Sequence, residues 1–305
     1  MSVLGLPARA GLLLCAALPA WATEGWYRDP AIHGDTVVFT AEGDLWRVST
    51  QGGLAQRLTT HPAEESQAAL SPDGRTLAFV ASYEGAPEVY AMSLTGGAPK
   101  RLSFDSARVW VQGFAPDGRV LYASEAAVGP SWTRVLRLVD PQSGSTETLP
   151  LADAREAAFD ADTGRVYFSR FGLAVTYDNA RDYTGGAAAQ LWQWRLGSEE
   201  EAQRLQPAAL TNPQRPLFVD GQLLLLGERA GLTHLWRWNG THAPQALTAH
   251  ADFDVRRPSA HGGRVVYQHG ADLRLLELAS GTDRRLDIRL GSDFAQGRER
   301  QLGEP

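Results

Sequence analysis

The stretch Ala69-Leu70-Ser71-Pro72-Asp73-Gly74-Arg75-Thr76-Leu77-Ala78-Phe79 decides the fold. Ser-Pro-Asp-Gly is turn chemistry at each position: proline presets φ, aspartate caps its own backbone, and glycine accepts the positive φ that closes a hairpin. The Thr76-Leu77-Ala78-Phe79-Val80 run that follows is apolar, β-rich and too short for a helix. The hairpin matters because it recurs. Ala115-Pro116-Asp117-Gly118, Asp162-Thr163-Gly164, Asp220-Gly221 and Gly262-Gly263 each stand between an apolar segment and a β-rich one.

Working outward, six units emerge. The first runs from Pro30-Ala31-Ile32 through Val37-Val38-Phe39, Asp44-Leu45-Trp46-Arg47-Val48 and Gln56-Arg57-Leu58-Thr59, which is four strands. Each later unit ends on an equivalent leucine. The six marker leucines, Leu58, Leu102, Leu149, Leu205, Leu247 and Leu286, are spaced 44, 47, 56, 42 and 39 residues apart. A period of about 40 to 45 residues with four strands per unit is the signature of a β-propeller. The expected fold is all-β: a six-bladed β-propeller, four antiparallel strands per blade, over residues 23–290. Residues 291–305 follow as a tail. The first unit opens with an inner strand and the sixth ends with an outer one. The ring is therefore expected to close by apolar packing of blade one on blade six, with no shared sheet, and that seam is expected to be its weakest place.

Composition agrees. The chain has 305 residues, 43% of them hydrophobic, with 31 glycines and nine tryptophans, enough to bury a core and rich in turn formers. Its formal charge is −6, and Lys100 is its only lysine. No basic stripe exists, which argues against nucleic acid as a partner.

Residues 1–22 read differently. Arg9 precedes the apolar run Gly11 to Leu18, and Ala20-Trp21-Ala22 supplies small residues for a signal peptidase. The run is well short of the ~20 residues that span a bilayer. A signal peptide cleaved after Ala22 is expected, placing the product in the periplasm or outside the cell, with a cytoplasmic location as the alternative and no membrane span after signal removal. Cleavage would remove Cys15, the only cysteine, so the mature chain has no disulfide or thiol nucleophile.

No Gly-x-Ser-x-Gly elbow, His-Glu-x-x-His, Walker loop or Gly-x-Gly-x-x-Gly is present. No catalytic residue, cofactor or metal is therefore assigned. Among the seven histidines, His250, His261 and His269 could be grouped with Asp252 and Asp254, but each falls at a turn or strand end. Zinc needs three or four converging ligands, and hydrogen bonding of loop backbone accounts for them more simply. The aromatic ladder Trp46, Tyr90, Trp192, Trp194, Trp236 and Trp238 could bind sugars or peptides. Alternating third-strand positions are more simply packing between blades, with Trp194 and Trp238 doing the same job.

Long loops on a rigid scaffold are where binding sits. The two longest departures from the repeat, residues 125–132 in blade three and 171–186 in blade four, supply Trp132, Tyr177, Arg181 and Tyr183 as candidate contacts. Asp254 and Arg256, with Arg257, either form an exposed ion-pair patch for a partner or tie blade six to blade one.

Four segments together carry a family resemblance: Glu42-Gly43-Asp44-Leu45-Trp46, Ser71-Pro72-Asp73-Gly74, Arg181-Asp182-Tyr183-Thr184-Gly185-Gly186, and His250-Ala251-Asp252-Phe253-Asp254-Val255-Arg256-Arg257-Pro258-Ser259. The mature chain resembles the amino-terminal six-bladed propeller of tricorn-type proteases. The Ser-Pro-Asp-Gly turn is shared with TolB-like propellers; the other segments are more specific. The resemblance implies a parent serine peptidase whose second propeller, PDZ domain and catalytic core lie outside this sequence, so a fragment or truncated product is expected. It implies a non-catalytic module that gates or docks peptides or oligopeptides and contacts the absent domains or sister subunits. A free-standing TolB-like binding propeller is the alternative, and an enzyme built on the channel itself is a third, weaker option.

Overall fold

The computed structural model describes residues 25–126, 133–171, 183–208 and 210–292. Blade one holds β1 (Arg28–His33), β2 (Thr36–Ala41), β3 (Asp44–Ser49) and β4 (Gly52–Arg57). Blade two holds β5 (Glu65–Leu70), β6 (Thr76–Ala81), β7 (Glu88–Ser93) and β8 (Lys100–Arg101). In blade three are β9 (Val109–Phe114), β10 (Val120–Ser124), β11 (Val135–Val139) and β12 (Thr146–Thr148). Blade four has β13 (Ala154–Asp160), β14 (Arg165–Arg170), β15 (Gln190–Arg195) and β16 (Gln203–Leu205). Blade five has β17 (Thr211–Val219), β18 (Gln222–Arg229), β19 (Leu232–Trp238) and β20 (Gln245–Ala246). Blade six has β21 (Val255–His261), β22 (Arg264–His269), β23 (Asp272–Glu277) and β24 (Asp283–Arg285), and β25 (Ile288–Leu290) follows it.

Within each blade successive strands pair antiparallel, so the six sheets are the six sequence units. The first strands are the inner ones: β1 touches β5 on one side and β21 on the other, and the ring continues through β9, β13 and β17. Second strands are sandwiched between neighbouring blades, which is why Val37, Val38 and Phe39 are all fully buried in one short run rather than alternating. No helix among the described residues is long and apolar enough to cross a membrane.

The deciding hairpin folds as its residues dictate. Leu70 pairs with Leu77; Gly74 N–H donates to Ser71 O at 2.8 Å and Arg75 N–H to Asp73 Oδ1 at 3.0 Å. Gly74 takes φ +70, and a Cβ there would meet the His33 ring of blade one at 2.5 Å. The turn is therefore also a blade contact, and only glycine satisfies both demands.

The marker leucines have a mechanical explanation. The N–H groups of Leu58, Leu102, Leu149, Leu247 and Leu286 donate to the carbonyls of Leu45, Val89, Leu136, Leu235 and Leu273 on the third strands. Where Ser or Thr follows, its hydroxyl caps the same third strand. Leu45 N–H donates to Thr59 Oγ1 (2.8 Å), Val89 N–H to Ser103 Oγ (2.8 Å) and Leu235 N–H to Thr248 Oγ1 (3.0 Å). In blades one, two and five the Leu-Thr/Ser pair thus ends the fourth strand and satisfies a buried donor that the short strand cannot reach.

The aromatic ladder packs between blades. Trp46, Tyr90, Trp194, Trp236 and Trp238 are buried and Trp192 is half-buried against the same apolar cluster as Trp194. Trp194 and Trp238 do share one role: each indole N–H donates to a carbonyl of the loop after its strand, Glu200 O at 3.2 Å and His242 O at 2.9 Å.

Closure departs from expectation. The chain returns after blade six, and β25 pairs in parallel with β4, Ile288 opposite Gly53 and Leu290 opposite Ala55. Blade one is thus a five-stranded sheet built from both ends of the chain. An apolar cluster joining Tyr27, Phe39 and Trp46 to Val266, Leu275, Ile288 and Leu290 fills the seam. The expected apolar packing is there, but with a shared sheet. Left uncovered, the edge of β4 would be an unsatisfied row of donors and acceptors, and the three residues Ile288-Arg289-Leu290 cover it.

Candidate functional site

Each inner strand carries an irregularity at the channel. Register shifts fall between Arg28 and Ala31, between Ser66 and Ala69, and between Arg256 and Ser259, with further shifts in β9, β13 and β17. In blades one, two, five and six a non-glycine residue at the bulge adopts positive φ: Asp29 (47), Gln67 (55), Arg215 (48) and Arg257 (48). Such left-handed residues are costly and cluster at functional sites. With Gln112 of blade three and Glu156 of blade four, they give one polar residue per blade around the waist of the channel. A local signal for this ring exists: Asp29-Pro30, Gln67-Ala68, Gln112-Gly113, Glu156-Ala157, Arg215-Pro216 and Arg257-Pro258 each place a polar residue before proline or a small residue, once per blade. Sequence reasoning passed over it because the six residue types differ in charge and do not read locally as one ring.

The waist is partly zipped by ion pairs between blades. Arg257 Nε lies 3.2 Å from Asp29 Oδ1, joining blade six to blade one. Arg215 Nε lies 3.2 Å from Glu156 Oε1, and its backbone N–H donates to Glu156 Oε2 at 2.8 Å, joining blade five to blade four. Gln67 Oε1 is buried with no hydrogen-bond partner among the described residues.

Two cavities meet at this ring. One, of about 300 Å³, opens past His33 and His261; the other, of about 410 Å³, opens past Trp26 and Arg256. The second is lined by five guanidiniums, Arg28, Arg134, Arg215, Arg256 and Arg257, against three carboxylates, Asp29, Glu156 and Asp254. Burial and the neighbouring charge of Arg257 hold Arg215 down to about 10, and burial followed by Arg155 lowers Arg134. Arg28 is in turn paired with Glu64, and Arg134 Nε lies 3.4 Å from Glu125 Oε1, so each of the five guanidiniums has a carboxylate partner in a partly desolvated space, where such pairing is stronger than at an open surface. Arg134 also lies over the Trp110 ring at 3.5 Å, which holds its plane toward the cavity wall.

Of the sequence-predicted contacts, Trp132, Tyr177 and Arg181 lie outside the described residues, as does the expected signal peptide. Tyr183 is placed: its carbonyl accepts from Asn212 Nδ2 at 3.2 Å, while Asn212 Oδ1 accepts from Ala189 N–H at 3.1 Å. Asn212, buried and at positive φ, thereby ties the end of the blade-four insertion to blade five. Asp254 is an anchor, but toward blade five, accepting from Thr233 N–H at 2.9 Å. The tie from blade six to blade one is made by Arg257 instead. Arg256 lies 3.4 Å from Asp254 Oδ2 and is 45% exposed at the channel mouth.

The histidine grouping divides. His261 stands at the far end of β21, its ring 4.0 Å from that of His33, six residues or roughly 20 Å from Val255 along an extended strand. His250, Asp252 and His269 come together, with one donor atom of each within 4.8 Å of the others.

Comparison with known proteins follows the same lines. The model of the tricorn protease N-terminal β-propeller domain matches residues 24–282. Tricorn protease homolog 1 of Streptomyces coelicolor is 32% identical over 280 residues, covering 88% of this chain and 25% of that protein. The crystal structure of the tricorn protease superposes with a TM-score of 0.76 at 19% identity, over 93% of this chain and 27% of that one. TolB from Acinetobacter baumannii shares the fold with a TM-score of 0.62 at 18% identity, over 86% of this chain and 62% of its own. The chain spans about a quarter of the length of the curated relatives it matches. Matched by the family model over most of its length, the chain belongs to the family of tricorn protease N-terminal β-propeller domains.

Proposed function

We propose that this chain is the non-catalytic propeller module of a tricorn-like serine peptidase, and that it gates or docks peptides through its central channel. The observation that carries this is the channel itself: five guanidiniums and three carboxylates face a cavity of about 410 Å³ at the bulged inner strands. Guanidiniums lining a confined space exchange a side-chain partner for a peptide carboxylate, whether an acidic side chain or a chain terminus. The outer loops, with the Tyr183 end of the blade-four insertion tied to Asn212, are then available to the remaining domains or to sister subunits. Export to the periplasm or beyond the cell, directed by residues 1–22, completes the proposal.

Fluorescence anisotropy with two labelled oligopeptides of equal length, one rich in Glu and Asp and one rich in Lys, tests it. The acidic peptide binds more tightly, and Arg256→Ala and Arg257→Ala each weaken it; equal binding of both peptides, or binding untouched by both substitutions, overturns the proposal. Neither peptide is cleaved. A free-standing TolB-like binding propeller shares this fold. Sequence downstream of codon 305 separates the two: an in-frame PDZ and peptidase core supports the module, whereas a stop followed by an unrelated gene supports the free-standing protein.

A further inference from the structure

The segment between blades five and six, residues 249–254, folds against the end of β22. It brings two side chains, His250 and Asp252, to His269. Their donor atoms lie within 4.8 Å of one another. The two imidazole rings are 4.0 Å apart and tilted by 40°. His269 Nε2 faces Asp252 Oδ1 at 3.1 Å, yet it is buried and oriented so that it makes no hydrogen bond. The His250 and His269 side chains are 15% and 11% exposed, and Asp252 is 61% exposed.

Behind His250 stands a supporting shell. Its Nε2 is 2.8 Å from Tyr267 Oη, which donates to Asp283 Oδ2 at 2.7 Å, and Arg274 Nε donates to Asp283 Oδ1 at 3.0 Å. A carboxylate reached through a buried hydroxyl fixes the ring, the arrangement that orients imidazole ligands in metal sites. The group offers two imidazole nitrogens and one carboxylate, a donor set suited to a divalent transition metal.

We propose that His250, Asp252 and His269 form a three-ligand site for a divalent transition metal of the zinc class at the mouth of the channel. Ligands of a tetrahedral zinc site with bonds of 2.0–2.1 Å lie about 3.4 Å apart. The exposed Asp252 side chain is free to rotate inward by the difference. Three protein ligands leave one coordination position for solvent or a ligand. That position adjoins a cavity of about 330 Å³ lined by Trp26, Phe253 and Arg256. Metal binding clamps the 249–254 segment to β22 and so fixes the exposed Phe253 at the rim.

Calorimetric titration of zinc chloride into the chelator-treated chain tests this, with cobalt absorption as a second readout. One zinc binds per chain. Asp252→Asn weakens it by more than about tenfold, and the double change His250→Gln with His269→Gln abolishes it. The pair His33→Gln and His261→Gln leaves it unchanged. Ligand-field bands of bound cobalt appear in the wild type and vanish in the double variant. Asp252→Asn lies on the surface and leaves the chelated protein's melting temperature unaltered, so its loss of affinity is not unfolding. No saturable uptake by the wild type, undiminished uptake by Asp252→Asn, or loss confined to the His33/His261 variant overturns the site.

Discussion

Tyr27 and Ile288, 261 positions apart, are joined by a hydrogen bond of 2.9 Å from the phenol hydroxyl to the backbone carbonyl. The contact locks the returning chain end against the entry to blade one. Tyr27→Phe is expected to cost about 1 kcal/mol, the worth of one buried hydrogen bond. Ile288→Asp, which buries an unpaired charge in the seam, is expected to cost more than about 3 kcal/mol. Urea denaturation measures both; equal midpoints for wild type and Ile288→Asp would show that β25 does not close the ring.

Gly52 and Gly53 are adjacent glycines with positive φ, +83 and +105, but their surroundings differ. A Cβ at Gly52 would meet Asp287 O at 2.5 Å, whereas nothing lies within 4 Å of one at Gly53. Both alanine variants suffer backbone strain of about 1 kcal/mol, and Gly52→Ala additionally pushes β25 away. It should therefore be the less stable of the two by at least about 1 kcal/mol, and a reversed order in paired melts would refute the parallel pairing.

Thr59, Ser103 and Thr248 cap the third strands of blades one, two and five. Thr59→Val, Ser103→Ala and Thr248→Val each leave a buried N–H unsatisfied, at an expected cost of about 1–3 kcal/mol. Exchange of the Leu45, Val89 and Leu235 amides, followed by mass spectrometry or NMR, should accelerate in the matching variant alone.

Glu65 is fully buried, accepting hydrogen bonds from Tyr83 Oη at 2.8 Å and Thr59 Oγ1 at 3.0 Å. Burial, with Asp44 nearby, raises its carboxyl to about 7 from an ordinary 4.5. The folded state therefore holds a proton that the unfolded chain has released. Its contribution is fully present below pH 4.5, falls as pH rises, and is lost above about 7. The loss is on the order of 3 kcal/mol. Glu65→Gln keeps a neutral side chain and should flatten that limb of the stability curve between pH 5 and about 8. A wild-type limb that persists in Glu65→Gln would assign the effect to another group.

The repeat was legible because its causes are local. Ser71-Pro72-Asp73-Gly74 makes its turn from its own side chains, and each marker leucine sits where a short fourth strand must end. The waist was harder to see: Asp29, Gln67, Gln112, Glu156, Arg215 and Arg257 share no chemistry, only a position. Asp254 was legible as an anchor, but its partner was not, since Thr233 lies on the preceding blade and nothing local says which neighbouring blade the side chain reaches.

From sequence alone follow six four-stranded units, the turns between them, the aromatic packing between blades and the family likeness. All rest on period, alternation and turn residues within about forty positions of one another. The tertiary structure alone decided that Ile288 returns to Gly53, that Arg257 pairs with Asp29 across the seam, and that His250 meets His269 while His261 does not. These pairings depend on how far each strand has carried its residues around the ring and on the bulges of the inner strands, and no run of neighbouring residues encodes either.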